Sequence, residues 1–362
     1  MALKLAVIAG DGVGPEVVGS ALKVLEAAAG PHNLNYTTTD LDYGGARYLK
    51  TGEVISDDEV AALRDYDAIF LGAVGHSDVK PGVLEKGLLL KLRFELDQYI
   101  NLRPVKLYEG VPTPLAGKGP KDIDFVCVRE NTEDLYCGNG GIARKGTAQE
   151  ISTQEMITTR FGVERCLRYA YNLARERKAA GYPGQLTLVH KTNVLTYAGD
   201  TWFRAFEEIG KADFPEIERV YHHVDACCMY MVASPERYDT IVVPNMFGDI
   251  ITDLGAAIAG GMSIAASGNL NPDGVAPSMF EPVHGSAPDI AGQNKANPLA
   301  TILSLSVLLI ETGRIKNDPA ATKVGQQLEQ AIRKVCPQFE GQRLDRPKWS
   351  TDEITQMVID AL

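Results

Sequence analysis

The 362-residue chain lacks an excess of basic residues. It carries 36 lysines and arginines against 47 aspartates and glutamates, for a formal net charge of −11. Binding to nucleic acid or to an anionic membrane surface needs a basic patch that dominates the long-range field. We therefore expect neither partner. Small anionic substrates can still bind where a few arginines converge.

Long apolar runs are also missing. The longest, Leu299–Ile310, is interrupted by one threonine and two serines and is too short to span a membrane, so we expect a buried helix there. The apolar run at the N-terminus is too short for the core of a signal peptide. Both absences point to a cytoplasmic protein.

The six cysteines form no CxxC pair and no zinc spacing. A chain of this length does not need disulfides to fold, so we expect reduced thiols. His222 and His223 likewise lack the spacing of zinc ligands.

Short β-rich segments alternate with helical patterns, which predicts an α/β architecture with extensive parallel pairing. A capping box at Ser56–Glu59 predicts a helix to about Asp65, and an amphipathic pattern predicts a longer helix over Thr153–Lys178. The glycine-rich segment Cys137–Thr147 is typical of a protruding hairpin or of a mobile surface loop. The predicted strands are Leu5–Ala9, Ala68–Ala73, Phe125–Val128, Leu186–Val189 and Thr240–Val243.

The segment Glu281–Gly292 is a loop of small residues that leads into the apolar helix. Gly285, Ser286 and Ala287 would let backbone N–H groups approach a pyrophosphate, and Asp289 could accept the ribose hydroxyls of NAD while repelling a 2′-phosphate. The alternative is an ordinary surface loop. The first turn, Ala9–Glu16, does not have the G-x-G-x-x-G spacing of a Rossmann motif, and Pro15 is placed as the first residue of the helix that follows.

Regular helical spacing over Glu85–Arg93 would place Glu85, Leu89 and Arg93 on one face with Leu88 beside them. Arg103 and Arg129 lie at predicted strand ends, so three guanidinium groups could converge on a dicarboxylate. Taken singly, each arginine could equally be a solvated ion-pair partner.

Asp249 and Asp253, one turn apart near the start of a predicted helix, suit Mg²⁺ or Mn²⁺. They could instead interact with the helix dipole. Lys191 and Asn193 end a strand; a lysine near other cations or a metal can transfer protons, and the alternative is a solvated strand-end lysine.

Together these motifs resemble the isocitrate and isopropylmalate dehydrogenase family, and the resemblance covers essentially the whole chain. It implies an α/β fold with two lobes, mixed sheets and a non-Rossmann NAD site. The cofactor-binding lobe would comprise residues 1–104 and 257–362. The substrate and dimerisation lobe would comprise residues 105–256, with an arm at about 137–151.

The resemblance also implies roles for individual residues. Tyr136, Lys191 and Asp225 would be catalytic, and Asp225, Asp249 and Asp253 would bind the metal. Asp225 and Lys191 would serve the active site of the neighbouring subunit in a homodimer. Substrate would contact Glu85, Leu88, Leu89, Arg93, Arg103, Arg129, Asn193, Val194 and Asp225. NAD would contact Glu281, His284, Gly285, Ser286, Ala287, Pro288, Asp289, Ile290, Ala291, Gly292 and Asn297.

The implied reaction is NAD- and metal-dependent oxidative decarboxylation of 3-isopropylmalate, a step of leucine biosynthesis. Asn131 departs from the Arg-Glu-Gly-Thr-Glu motif common in isopropylmalate enzymes, and the segment 97–105 resembles the tartrate and D-malate branch. Tartrate, D-malate, isocitrate and homoisocitrate therefore remain alternative substrates. A catalytically silent regulatory subunit is disfavoured because Tyr136, Lys191 and the metal aspartates are all present.

Overall fold

The computed structural model describes residues 2–362, which fold around one ten-stranded mixed β-sheet. The strand order is β2-β1-β3-β12-β11-β4-β5-β10-β8-β9, and β6 and β7 form a separate hairpin. The strands are β1 (Leu3–Gly10), β2 (Tyr36–Asp40), β3 (Ala68–Ala73), β4 (Ile100–Lys106), β5 (Asp124–Glu130), β6 (Gly140–Ala143), β7 (Ile151–Gln154), β8 (Gln185–His190), β9 (Glu218–His223), β10 (Thr240–Val243), β11 (Ala266–Leu270) and β12 (Ser278–Pro282).

Helices cover both faces of the sheet. They are α1 (Gly14–Ala29), α2 (Gly45–Thr51), α3 (Asp57–Leu63), α4 (Lys91–Glu95), α5 (Arg160–Ala179), α6 (Thr196–Asp213), α7 (Val224–Ala233), α8 (Asn245–Ile258), α9 (Leu299–Lys316), α10 (Pro319–Val335) and α11 (Thr351–Asp360). A π-helical segment, Glu85–Leu90, precedes α4. Short 3₁₀ turns lie at Gly30–His32, Leu135–Cys137, Pro235–Arg237, Met262–Ile264, Pro288–Ile290 and Cys336–Phe339.

The two ends of the sheet are parallel and its centre is antiparallel. Strands β2, β1, β3 and β12 pair in parallel at one end, and β5, β10, β8 and β9 do so at the other. Between them, β12-β11-β4-β5 pair antiparallel. The mixed sheets expected of two lobes are thus joined into one.

All five predicted strands are confirmed, in β1, β3, β5, β8 and β10. Every residue of β3 and β10 is buried, as expected for strands covered on both faces. The predicted buried helix over Leu299–Ile310 is also confirmed as α9. Its two serine hydroxyls form hydrogen bonds inside the core, since Ser304 Oγ donates to the Ala300 carbonyl and Ser306 Oγ donates to the Gly325 carbonyl.

The predicted helix over Thr153–Lys178 begins too early. Residues Ile151–Gln154 form β7, which pairs with β6 in an exposed hairpin. Strand pairing satisfies the backbone there, and α5 begins only after Thr159, whose side chain accepts from the Gly162 N–H.

Two other boundaries shift slightly. Helix α3 has the predicted capping box but ends at Leu63 rather than near Asp65. Helix α1 begins at Gly14, which makes Pro15 its second residue.

Among residues 2–362, no helix is both long enough and apolar enough to cross a membrane. All six cysteines are free, and four of them are buried.

Candidate active site

Three buried arginines meet beside the antiparallel centre of the sheet, and each one faces a carboxylate. Arg93 precedes β4, Arg103 lies within β4, and Arg129 lies near the end of β5. Arg103 is thus in mid-strand, not at the strand end expected. Their closest carboxylate contacts are Arg93 to Glu281 at 3.3 Å, Arg103 to Asp253 at 3.8 Å and Arg129 to Asp249 at 2.5 Å.

Burial and mutual repulsion lower the pKa values of two of these arginines. Burial first, and then the charges of Arg129 and Arg93, lower the pKa of Arg103 to about 10. Burial likewise lowers the pKa of Arg93. Such a concentration of positive charge is suited to binding a ligand with more than one carboxylate.

Helix α8 carries both acidic residues predicted to bind a metal. Asp249 and Asp253 lie one turn apart in its second and third turns, beyond the first turn where carboxylates interact best with the helix dipole. The helix packs closely on β5, because a Cβ added at Gly248 would lie 2.4 Å from Arg129 Cγ. Arg129 also donates to Asn245 Oδ1 from Nε and Nη2, at 3.0 and 2.8 Å.

The pKa values of the two carboxyl groups are shifted in opposite directions. Burial raises the pKa of Asp249, but the charge of Arg129 and the hydroxyl of Tyr136 outweigh burial, so the pKa is lowered overall. For Asp253, burial dominates and raises the pKa. Tyr136 donates its O–H to Asp249 Oδ2 at 2.7 Å, and burial is the first cause that raises the pKa of its hydroxyl.

The segment Glu85–Arg93 is not a regular α-helix. Its first part is π-helical, and Leu88 is fully buried in a core cluster with Leu84 and Leu92. In this conformation Leu88 offers no surface to a ligand, and its contact with substrate stays a prediction. Leu89 is partly exposed, and the exposed Glu85 accepts from the Gly82 N–H at 2.9 Å.

Lys191 and Asp225 form a second polar group. Lys191 follows β8 directly, Asp225 lies in the first turn of α7, and their side chains pair at 2.8 Å. Asn193 and Val194, on the same loop, are exposed. Across residues 2–362, no three His, Cys, Asp or Glu side chains come together as a metal site, so one chain does not unite Asp225 with Asp249 and Asp253.

The predicted cofactor loop lies against the first turn of the chain. Val13 donates its backbone N–H to the Ser286 carbonyl at 2.8 Å. Gly12 has φ +59°, and a Cβ there would lie 1.9 Å from the Ser286 carbonyl oxygen, so the close approach requires glycine. Asp289 is exposed at the loop's surface. It lines one groove together with Ala287 and Ile290, and a separate groove is lined by Gly75, His76, Glu85, Ser286 and Pro288.

Other predicted loop residues have internal partners. Asn297 is buried, donates to the Leu344 carbonyl at 3.0 Å and accepts from the Leu299 N–H at 3.1 Å, so both ends of its amide are engaged within the protein. Burial lowers the pKa of His284, whose Nδ1 lies 3.0 Å from the Gly285 carbonyl. The remaining predicted positions, Ala287, Ile290, Ala291 and Gly292, line the same turn, and Glu281 precedes it in β12.

Sequence reasoning assigned no role to Asp11. Its buried carboxylate accepts from the backbone N–H groups of Gly45 and Gly75, at 2.8 and 3.0 Å, and so ties two loops to the first turn. An acidic residue between two glycines directly after a strand was the available signal. Asn245 was missed too, since its contact with Arg129 depends on packing between elements distant in sequence.

Comparisons with known proteins agree with this arrangement. The family model described as Isocitrate/isopropylmalate dehydrogenase matches residues 4–358. The chain is 57% identical over 330 residues to a 3-isopropylmalate dehydrogenase of Thermobifida fusca, covering 91% of this chain and 90% of that one. It is 50% identical over 352 residues to a 3-isopropylmalate dehydrogenase of Streptomyces avermitilis, covering 97% and 96%.

A solved structure is similar over the same length. The isocitrate dehydrogenase of Methylococcus capsulatus superposes with a TM-score of 0.84 at 31% identity, covering 99% of both chains. The match in sequence extends over both parallel ends of the sheet and the arginine cluster between them. The chain therefore belongs to the isocitrate/isopropylmalate dehydrogenase family.

Proposed function

We propose that this enzyme oxidises and decarboxylates 3-isopropylmalate to 4-methyl-2-oxopentanoate, a step of leucine biosynthesis, with NAD and a divalent metal ion. The observation that carries the proposal is the cluster of Arg93, Arg103 and Arg129 facing Asp249 and Asp253. It occurs in a chain at least half identical, over nearly its full length, to curated 3-isopropylmalate dehydrogenases. The free cysteines fit the reducing cytoplasm as its location.

The arginines would bind the two carboxylates of the substrate. Each is held by a carboxylate or amide partner, so the guanidinium planes are already oriented. Leu89 supplies partly exposed apolar surface for the isopropyl group, with Glu85 at the edge of the same segment. Asn193 and Val194 are exposed on the Lys191 loop and would reach substrate in the partner subunit.

The carboxylates of α8 fit a divalent ion. Asp249 and Asp253 offer hard oxygen ligands one turn apart, both partly exposed, and Asp225 of a second subunit would be the third ligand. When bound, Mg²⁺ or Mn²⁺ supplies positive charge to the hydroxyl and carboxylate oxygens of the substrate.

The loop after β12 fits NAD. Gly12 lies so close to the Ser286 carbonyl that only glycine fits there, and this contact brings two turns of backbone together. The exposed carboxylate of Asp289 favours ribose hydroxyls over a 2′-phosphate. When bound, NAD accepts the hydride that leaves C2 of the substrate.

Two side chains would move the protons. Lys191, paired with Asp225, would take the proton of the C2 hydroxyl as the alcohol is oxidised. Loss of carbon dioxide leaves negative charge on the substrate, which the arginines stabilise. Tyr136 would then protonate C3, and the raised pKa of its hydroxyl keeps that proton in place until it is needed.

Assembly into a homodimer would complete the site. Large apolar side chains are exposed on adjacent helices, including Met229 and Val232 of α7 and Ile250 of α8. Residues 1–104 with 257–362, and residues 105–256, would form two lobes that meet at the antiparallel centre of the sheet. The arm at about 137–151 would add to the dimer contact.

The direct test is NADH production from a panel of 3-isopropylmalate, D-malate, tartrate, isocitrate and homoisocitrate. We expect the highest kcat/KM with 3-isopropylmalate, a strong preference for NAD over NADP, and loss of turnover in excess chelator that Mg²⁺ or Mn²⁺ restores. Burial of the isopropyl group favours this substrate over D-malate by roughly ten- to hundredfold. More efficient turnover of D-malate or tartrate would replace the assignment with that branch of the family.

A further inference from the structure

A chain of buried amides connects two of the substrate arginines. Arg103 Nε donates to Asn101 Oδ1 at 2.8 Å, and Asn101 Nδ2 donates to Asn269 Oδ1 at 2.9 Å. Asn269 Nδ2 donates to Glu281 Oε1 at 2.9 Å, and Arg93 Nη2 donates to the same oxygen at 3.3 Å. The connection from Arg103 to Arg93 is therefore continuous; its two amides are buried, and Glu281 is its one partly exposed link.

Asn131 joins this chain at its midpoint. Its Nδ2 donates to Asn269 Oδ1 at 3.1 Å and to the Gln98 carbonyl at 2.8 Å. The residue is only 1% exposed, and Asn101 and Asn269 are fully buried. Asn131, the position that departs from the motif of isopropylmalate enzymes, thus contacts the interior of the sheet.

The register of the sheet brings these amides together. Asn101 of β4 is directly opposite Asn269 of β11 on one side and Arg129 of β5 on the other. Asn101 and Asn269 therefore lie in the antiparallel centre beside Arg129, and Asn131 directly follows β5. Three buried guanidinium groups repel one another, so each keeps a fixed orientation only if its hydrogen bonds are themselves fixed.

We propose that Asn101, Asn269 and Asn131 form an amide relay that orients Arg93 and Arg103 for the substrate carboxylates. In this relay Asn131 is a positioning residue and does not determine which substrate side chain is accepted. The inference rests on the proposed function. It explains why asparagine replaces the glycine of the isopropylmalate motif at position 131: Asn131 supports the arginines and does not change the substrate.

The first test breaks the relay at Asn101 and compares it with a matched buried amide. Asn271 is also fully buried, but its Nδ2 donates to the Leu96 and Asp97 carbonyls and not to any residue of the relay or to a partner of Arg93, Arg103 or Arg129. We expect Asn101→Leu to raise the KM for 3-isopropylmalate by roughly ten- to hundredfold, the worth of a hydrogen bond to a charged group. Its KM for NAD should stay within about threefold of wild type.

Asn271→Leu should lower the melting temperature at least as much while leaving the substrate KM within about threefold of wild type. Equal increases in substrate KM for the two variants would mean that buried amides here act only through stability, and would overturn the relay. The same conclusion follows if Asn101→Leu lowers kcat alone, because misfolded protein reduces the number of active sites without changing KM.

The second test uses Asn131→Gly, which keeps the relay testable if Asn101→Leu does not fold. Because 3-isopropylmalate and D-malate would use the same arginines, their KM values should rise in the same proportion, with the ratio of kcat/KM changing less than about threefold. A shift of that ratio by more than about tenfold would show that Asn131 reads the substrate. An unchanged KM for both would show that it does not support the arginines.

Wild-type turnover is measured first, so the two proposals fail separately. If wild type does not use 3-isopropylmalate, the proposed function is wrong, and the relay is tested with whichever substrate of the panel it does use. If wild type does use it and the variants behave as the Asn271 control, only the relay is wrong.

Discussion

Single residues in this site were predictable when their chemistry was carried by a short motif. The three arginines, Tyr136 and the α8 aspartates lie in such motifs, and the structure brings them to one region, whereas Asp225 lies apart with Lys191. The amides beneath them were not predictable. Asn101, Asn131 and Asn269 come from three separate segments: the strand register places Asn101 opposite Asn269, and the segment after β5 brings Asn131 to Asn269.

Another residue-scale feature is His190, the last residue of β8. It is 1% exposed, its Nδ1 has no hydrogen-bond partner, and burial followed by repulsion from His223 lowers its pKa to about 4. An unfolded chain binds this proton near pH 6.5, whereas the folded chain resists it until about pH 4. The neutral histidine therefore stabilises the fold above pH 6.5, and that contribution is lost as the pH falls from 6.5 towards 4.

We expect His190→Gln to weaken the acid sensitivity of the protein. Between pH 7 and pH 5, the wild type should lose about 2 kcal/mol more free energy of unfolding than the variant does. Urea unfolding at the two pH values, followed by circular dichroism at fixed protein concentration, measures this difference. If wild type and variant lose the same free energy, His190 is not the source of the sensitivity.

At the scale of elements, the segment before β4 buries Leu88, which the sequence places beside the predicted substrate residues Glu85, Leu89 and Arg93. Leu84, Leu88, Leu92 and Leu96 recur every four residues and are all buried, so they form the core-facing stripe of this segment. The π-helical turn and the close packing of Gly87, where a Cβ would lie 3.0 Å from Val54 Cγ2, depend on tertiary contacts.

The two neighbouring leucines should therefore behave differently when shortened. Leu88→Ala leaves a cavity in the core and should lower the free energy of unfolding by about 2–5 kcal/mol. Leu89→Ala should cost less stability and instead lower kcat/KM for 3-isopropylmalate more than for D-malate, which has no alkyl branch. Chemical unfolding and kinetics on both substrates test the pair. A substrate-selective loss in Leu88→Ala alone would contradict this division.

The bounds of other elements likewise depend either on local sequence signals or on contacts between distant segments. Strands β3 and β10 were predicted to the residue because continuous apolar runs between turn signals define strands buried on both faces. The start of α5 was misplaced because β7 is an edge of an isolated polar hairpin with no apolar periodicity to mark it. The only local signal for the start of α5 was Thr159, which caps the helix.

At the scale of the whole molecule, the residues predicted to act on substrate form two separate groups within one chain. Lys191 pairs with Asp225 at the end of β8, while Tyr136 bonds to Asp249 beside the arginines. No cluster of three potential metal ligands exists among residues 2–362. Exposed apolar side chains on α7 and α8 lie on the helices that carry Asp225 and Asp249, which favours completion of each site by a second copy.

A shared site makes a quantitative prediction for mixed dimers. Lys191→Ala and Tyr136→Phe protomers should each be nearly inactive alone. In a heterodimer, one site combines the intact Tyr136 of one chain with the intact Lys191 of the other, and the second site lacks both. Random exchange of equal amounts makes half of the dimers mixed, so about a quarter of wild-type activity should return.

The measurement is NADH production after mixing under mild denaturation and refolding, with exchange verified by mass spectrometry of differently tagged chains. A double variant carrying both substitutions, mixed with either single variant, serves as the control because every resulting site lacks at least one group. It should give no recovery. If verified heterodimers of the two single variants are equally inactive, Lys191 acts within its own chain, and the proposed assembly of the site from two subunits is wrong.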